Sequence, residues 1–340
     1  MATERRRGVG GFLIGLIVVL GLLWVGYWYA AHYFAGQILA RATTHPVDGL
    51  KVDCTNSSLG GFPLRLDLRC DRAALTDSAG TAAELDGIVA SVPLYWPTTV
   101  ETTLTGPLTV SAPDHGVALT ATWSSGTATA GGSFNGLTGA GAAFTSLNVE
   151  NSGPLPIAGL TTIAADKASG SLAPAGGGSY AVAADATQLT LARATGALPP
   201  IDLSLRATAI NVGALGADPA RAFLAWLRAT PNATIENLRL AMAGAIVSAS
   251  GTLSLSKDGL LNGSILLRYN SIEGLAGLIE TLKPGTRDRY DVALQGLKAM
   301  SKPVDSPDGP ALQTTVTFTD GLVWLTIIPL PIEPIPPIRF

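Results

Sequence analysis

Hydrophobicity is laid out along this chain in two textures. From Gly8 to Ala31 the run GVGGFLIGLIVVLGLLWVGYWYAA carries no charge, and about twenty apolar residues rising ~1.5 Å each match a ~30 Å hydrocarbon layer as one helix. Beyond residue 46 the apolar positions alternate with polar ones in short runs broken by Gly, Pro, Asn and Asp, the period-two pattern of half-buried strands. The boundaries read as a basic tip at 1–7, a transmembrane helix at 8–33, a juxtamembrane helix at 34–45 that Pro46 stops, and extended structure thereafter.

The flanks of the apolar run give it a direction. Arg5, Arg6 and Arg7 precede it, and Trp24, Trp28 and the tyrosines at 27, 29 and 33 crowd its far end. Arginines hold their side in the cytoplasm, and amphipathic rings favour the headgroup layer. The expectation is a single-pass inner-membrane anchor with a periplasmic body. The competing reading is a cleavable signal peptide, whose apolar region is shorter and ends at a small-residue site. Ala40-Arg41-Ala42 is the nearest such site, and it lies about ten residues past the stretch. His32 is expected to face solvent at the interface.

A β-rich region is expected at 46–210 and a β/α region at 211–340. Residues 50–54 and 64–70 alternate apolar with polar around a Gly60-Gly61-Phe62-Pro63 turn, predicting a hairpin with one cysteine on each strand. Arg65, Asp67 and Arg69 would share its polar face as cross-strand ion pairs. Further strands are predicted at 104–110, 117–123, 189–191, 203–209 and 238–242. Lys257-Asp258-Gly259 should turn a hairpin between 252–256 and 260–269. The stretch 131–141, GGSFNGLTGAG, is too glycine-rich for a firm strand and reads as a loop or bulged edge.

Three helices interrupt this pattern. One begins at Asp218-Pro219 with Phe223, Leu224 and Leu227 as its stripe, one at Ser271 with Ile272, Leu275, Ile279 and Leu282, and one spans 288–300 with Val292, Leu294, Leu297 and Met300. The stripes are expected to pack on the sheet. The proline-rich end, from Pro329 to Phe340, can be neither a helix nor a central strand. Its Ile and Leu residues predict docking along the body as a last edge element.

Charged residues make up only 14% of the chain and net charge is −3, so there is no electrostatic footprint for nucleic acid. The two cysteines, Cys54 and Cys70, stand alone. In an oxidising compartment they read as a disulfide worth about 3 kcal/mol in the chain-entropy model. A metal site would need more ligands than His45, and a redox pair more often has Cys-x-x-Cys spacing. No nucleophile elbow, phosphate loop, His-Glu-x-x-His or dinucleotide fingerprint is present, and His115 sits in an apparent Pro-Asp-His-Gly turn. Neither catalytic residues nor a cofactor or metal is expected.

The segment from Cys54 through Gly60-Gly61-Phe62-Pro63-Leu64-Arg65-Leu66 to Cys70-Asp71, after a single N-terminal span, resembles the bacterial envelope family called domain of unknown function 2125 (DUF2125). The Ser256-Lys257-Asp258-Gly259-Leu260-Leu261-Asn262-Gly263 hairpin, the helical pair after it and Asp320-Gly321-Leu322-Val323 before the proline-rich tail fit the same family. That family is distantly similar to the AsmA-like envelope proteins. The similarity implies a helix-anchored, long curved sheet with an apolar groove involved in lipid handling.

Strand arithmetic agrees with such an architecture: about 250 residues in short strands give roughly 15 to 20, and open sheets beyond ~10 strands curl or split. A continuous ladder of that size would run ~70 to 95 Å at ~4.8 Å per strand. The expected fold is therefore mainly β with a few helices, a large and largely antiparallel sheet forming an open half-barrel or groove lined by Leu and Val. Filled sandwiches are the alternative. Three functions stay in view: binding or passing membrane lipids, docking another envelope protein, and, third, enzymatic work on envelope substrates.

Overall fold

The computed structural model describes residues 6–44, 51–77, 80–113, 116–133, 136–153, 160–193, 196–213, 225–229, 231–282, 285, 287–325, 328–330 and 334–338. Helix α1 (Arg6–Thr44) is a single unbroken 39-residue element. The anchor and the juxtamembrane helix are thus one rod. The part from Val18 to Arg41 is long and apolar enough to cross a membrane, and almost none of it is buried by the protein.

Among the described residues, twenty strands follow in one sheet. They are β1 (Lys51–Thr55), β2 (Ser58–Gly60), β3 (Arg65–Cys70), β4 (Arg72–Thr76), β5 (Ala82–Pro93), β6 (Thr99–Ala112) and β7 (Val117–Thr122). Next come β8 (Ser125–Ser133), β9 (Gly136–Asn151), β10 (Leu160–Gly176), β11 (Ser179–Arg193), β12 (Gly196–Ala197) and β13 (Ile201–Ile210). The C-terminal part adds β14 (Asn232–Met242), β15 (Ala245–Leu255), β16 (Leu261–Tyr269), helices α2 (Ile272–Leu282) and α3 (Arg287–Met300), then β17 (Lys302–Ser306), β18 (Gly309–Thr319), β19 (Leu322–Leu325) and β20 (Ile328–Pro329).

Every described ladder is antiparallel and joins near neighbours in sequence, so the sheet is one long meander. Short strands share rows: β3 and β4 both pair with β5, and β7 and β8 both lie between β6 and β9. The ladder is therefore shorter than twenty separate rows would make it. Among the described residues no pairing joins the β1 end to the β20 end, so it is not a closed barrel.

Bulges bend the strands. Register shifts fall between Leu85 and Gly87, Ala186 and Leu189, and Ile235 and Leu238, and left-handed residues Ser146 and Gln188 stand in β9 and β11. Each extra residue kinks its strand and increases local twist. The described strands join into a single sheet rather than two packed ones. The chain exposes 20468 Å² at 34.8 kDa, where a compact monomer would expose about 13,000 Å². The bare helix and the incompletely covered sheet account for the excess.

Several expectations need correction. Residues 51–55 do not pair with 65–70: β1 pairs with β4, while β2 pairs with β3. A tight Cys54-to-Cys70 hairpin would have needed one turn, but the chain spends two short strands there. Cys54 and Cys70 nonetheless form a disulfide, with Cα atoms 5.4 Å apart. The Arg65–Asp67 ion pair, 3.2 Å, runs along one strand rather than across two. Asp67 is only 4% exposed and accepts from Ser91 Oγ at 2.8 Å, which explains how a carboxylate is tolerated there. The glycine-rich 131–141 stretch lies mostly in β8 and β9, with a register shift at Gly131–Gly132, because cross-strand pairing supplies what propensity lacks.

In the helices, Ser271 Oγ accepts from Gly274 N at 2.9 Å and caps α2. Leu294 and Leu297 of α3 are buried, but Val292 is 67% exposed and is not part of the packed stripe. The start of the predicted 218–227 helix, with Asp218, Pro219, Phe223 and Leu224, lies outside the described residues, as do Arg5, His45 and His115; residues 225–228 are helical.

The tail docks as an edge. β20 pairs with β19, Leu330 N donates to Val323 O, Ile335 N to Gly321 O at 2.8 Å, and Ile338 N to Gly259 O at 2.9 Å. Gly259 and Gly321 have φ near +77° and +78°. A Cβ at either would also collide with the tail's carbonyls at Ile338 and Ile335. The two Asp-Gly turns therefore need glycine twice over, for their own fold and for the strand laid against them.

Candidate functional site: an open apolar face

In an antiparallel sheet directly paired residues point to the same side, so register alone tells which side chains share a face. One line crosses the whole sheet: Leu68, Ala90, Thr102, Ala128, Ala142, Gly170, Ala184, Leu205, Leu238, Ala249, Leu267 and Thr314 are successive partners. A second runs beside it through Ile88, Leu104, Gly126, Phe144, Ala168, Ala186, Leu203, Leu240, Val247, Tyr269 and Leu312. A third comprises Val100, Ala130, Ala140, Leu172, Val182, Ala207, Ile235, Gly251, Ile265, Val316 and Leu325. Thr102, Thr314 and the Tyr269 phenol are the hydroxyl side chains in these three lines.

The opposite face is polar. Glu101, Thr129, Ser171, Arg206, Arg239, Ser248, Arg268 and Gln313 follow the same registers one residue out of phase. Arg206 holds Asp185 through two hydrogen bonds, 3.1 and 2.9 Å. Arg239 grips Asp308 at 2.8 to 3.1 Å, and Arg268 Nε donates to Gln313 at 2.7 Å. These guanidinium bonds hold the Asp185 and Asp308 carboxyls below their ordinary pKa.

Helices cover the apolar face at its two ends. At the C-terminal end Tyr269, Leu297 and Leu325 form a buried cluster, with Val247, Leu267, Ile272, Leu275, Met300 and Leu312 packed around it. Tyr269 donates to or accepts from Ser301 Oγ at 2.6 Å, and its burial pushes the phenol pKa up. At the N-terminal end Ala35, Ile38 and Leu39 of α1 face Leu59, Leu66, Leu68, Ala90 and Val92 across an apolar cavity of about 290 Å³. On the helix's other flank a larger and more polar cleft of about 600 Å³ is lined by His32, Thr43, Asp53 and Ser58 among others.

The stretch between these covers is not reached by α1, α2 or α3; the helical residues 225–228 touch the end of β13, where Trp226 Nε1 donates to Ile210 O at 2.9 Å. Ala128, Ala142 and Ala184 there are half-buried and Ala130 and Gly170 exposed, whereas Gly126, Tyr180 and Ala209 are buried. Trp123 is the exception to a flat floor: its ring meets Phe144 at 5.0 Å, and its Nε1 donates to Leu104 O at 2.9 Å. The floor is built mostly of Ala and Gly from β8 to β11, and of Leu and Ile on β13 and β14.

Trp24 and Trp28, read as interface rings, also tie the helix to the sheet. Their indole Nε1 groups donate to Pro63 O at 2.8 Å and Arg65 O at 3.1 Å. His32 is half-buried: it stacks on Trp28 with centroids 4.9 Å apart and lines the polar cleft. The side chains of Arg6 and Arg7 fall outside the described residues, although their backbone is helical. The small-residue floor was missed in the sequence, where Leu and Val were taken as the lining. Its signal was the Thr-Ala-Thr-Ala alternation at 127–130. Among the described residues no three His, Cys, Asp or Glu side chains gather as a metal site.

Fold and face define a class: a membrane-length helix joined to an open, two-sided antiparallel sheet whose apolar side, among the described residues, is capped by helices at both ends and carries none from β8 to β11. A family model described as an uncharacterized protein conserved in bacteria, DUF2125, matches residues 27–336. The chain belongs to that family. The finding does not extend to the AsmA-like proteins. No curated protein and no solved structure matches the chain.

Proposed function

We propose that this is a non-enzymatic, single-pass inner-membrane protein whose periplasmic sheet binds lipid or another hydrophobic molecule along its apolar face and helps to move it within the envelope. One observation carries the reading: three adjacent register lines of mostly apolar side chains run from the α1 end of the sheet to the α2–α3 cover, and among the described residues no helix covers the track from β8 to β11. A hydrocarbon chain laid on it would remove apolar surface on both partners from water, at about 25 cal/mol per Å². Bare apolar strips of this length are otherwise a liability in a soluble domain.

The compartment reading is supported by the disulfide, which persists in oxidising surroundings, and by the arginines on the N-terminal flank. A scaffold role for the greasy tail has less support, because Ile335 and Ile338 already spend their amides on Gly321 and Gly259.

Photocrosslinking tests the lipid reading. With a photoreactive phenylalanine analogue at Ala184, irradiation of membranes holding the full-length protein should yield lipid adducts by mass spectrometry. The same analogue at Ser171, on the polar face, should not. A discrete protein adduct at Ala184 would favour the scaffold instead, and equal lipid yields at both positions would sink the proposal.

A further inference from the structure

Where α1 meets the sheet, two turns project alongside the helix. Residues 61–64 lead into β3 and residues 94–96 follow β5. Trp24 Nε1 donates to Pro63 O at 2.8 Å, Tyr27 OH to Leu94 O at 3.3 Å and Trp28 Nε1 to Arg65 O at 3.1 Å, while the Trp28 ring meets Phe62 edge-on at 5.3 Å. These bonds fix the depth of the turns. They sit level with residues 24–28, inside the Gly8–Ala31 run and about 5 to 10 Å short of its end at ~1.5 Å per residue.

The side chains at the tips are large, apolar and uncovered. Phe62 is 54% exposed, Leu64 59%, Tyr95 69% and Trp96 66%. Arg65 follows at the level of Trp28, with 61% of its side chain exposed despite its pair with Asp67. Aromatic and aliphatic tips with a cation just above them match the depth profile of a membrane interface, where rings settle among headgroups and arginines reach the phosphates.

We propose that the 61–64 and 94–96 turns dip into the exit-side leaflet of the bilayer that α1 spans, so that helix and sheet hold the membrane together. The occupant of this surface is lipid, because the hydrogen bonds to α1 place the tips at the depth of a membrane-spanning segment. The inference rests on α1 crossing the bilayer, as proposed above. It also gives the lipid reading an entrance: Phe62 and Leu64 lie next in sequence to Leu66 and Leu68, which line the cavity under α1. An acyl chain leaving the leaflet would meet apolar side chains all the way to the open face.

Spin labels on the full-length protein in phospholipid nanodiscs test this. Single cysteines are introduced by Leu20→Cys on the helix, Leu64→Cys and Tyr95→Cys in the two turns, and Thr129→Cys on the polar face; the native cysteines are bridged and take no label. Collision with oxygen, which concentrates in the bilayer, is compared with collision with a water-soluble nickel chelate. Labels at 20, 64 and 95 should favour oxygen several-fold over the label at 129. Nickel access at 64 and 95 equal to that at 129, with 20 protected, would overturn the inference and leave the anchor standing. Nickel access at 20 would overturn both.

Discussion

One face of one sheet is treated in two ways along its length. Over β15 to β19 it carries the largest side chains, and α2 and α3 seal them, so that Tyr269 and Leu325 are each only 1% exposed. From β8 to β11 the same face carries Ala128, Ala142, Gly170 and Ala184, and no described helix lies on it. A sheet that needed only stability would cover both stretches. Large residues under a lid make a core, whereas small residues without one leave room for something that comes and goes.

The sharpest break of that comparison is a truncation under the lid. Leu325→Ala should cost about 2 to 5 kcal/mol, because a buried leucine leaves a cavity that rigid neighbours fill poorly. Denaturant unfolding measures it, and a cost under 1 kcal/mol would mean the covered end is no core. The opposite cover, where α1 lies on the first rows, is braced covalently. Replacing Cys54 and Cys70 together by serine opens a loop of sequence separation 16 and should cost about 3 kcal/mol. Ser271→Ala removes the cap of α2 and should cost about 1 kcal/mol in the same assay.

The bare span should respond differently. Ala184→Leu adds bulk where no packing opposes it, so stability should stay within about 0.5 kcal/mol of the parent. If the face is a lipid track, the amount of lipid that survives purification should nevertheless fall, as mass spectrometry would register. A loss of several kcal/mol would instead place Ala184 in a packed interior and erase the contrast between the two stretches.

Much of this was legible in the sequence because local rules decide it. The uncharged run, the Asp-Gly turn at 258–259, the Ser271 cap and the paired cysteines each fix their element from within a few residues. Register was not legible. Whether residues 51–55 pair with β3 or β4 depends on how a second short strand fits between the cysteines, and whether alanines line a floor or a surface depends on partners dozens of residues away. Val292 shows the same limit, since an apolar residue on a helix marks a buried face only if another element comes to cover it. Tip residues such as Tyr95 and Trp96 gave no signal at all, because nothing local says that a helix seventy residues earlier runs beside them.

The polar face supplies the smallest effect and a check on which face is wet. Asp185 and Asp308 are held below their ordinary carboxyl pKa by Arg206 and Arg239, so the folded state releases those protons more readily than the unfolded chain. Their contribution is fully present above the unfolded carboxyl pKa of ~3.9 and is lost as pH falls through the lower folded value. Both pairs stand partly in water, where ion pairs are worth tenths of a kcal/mol to about 1. Arg239→Gln should therefore lower the unfolding midpoint only slightly at neutral pH, and by less still as pH falls through the lowered Asp308 pKa and the carboxyl gives up its charge. Tyr269 acts at the other extreme. Burial raises its pKa, so the unfolded chain ionises first, and stability should decline as pH climbs past ~10. Salt separates the two faces in one series: added sodium chloride should shrink the Arg239→Gln difference by screening and leave the Leu325→Ala difference standing, because only the first interaction faces solvent.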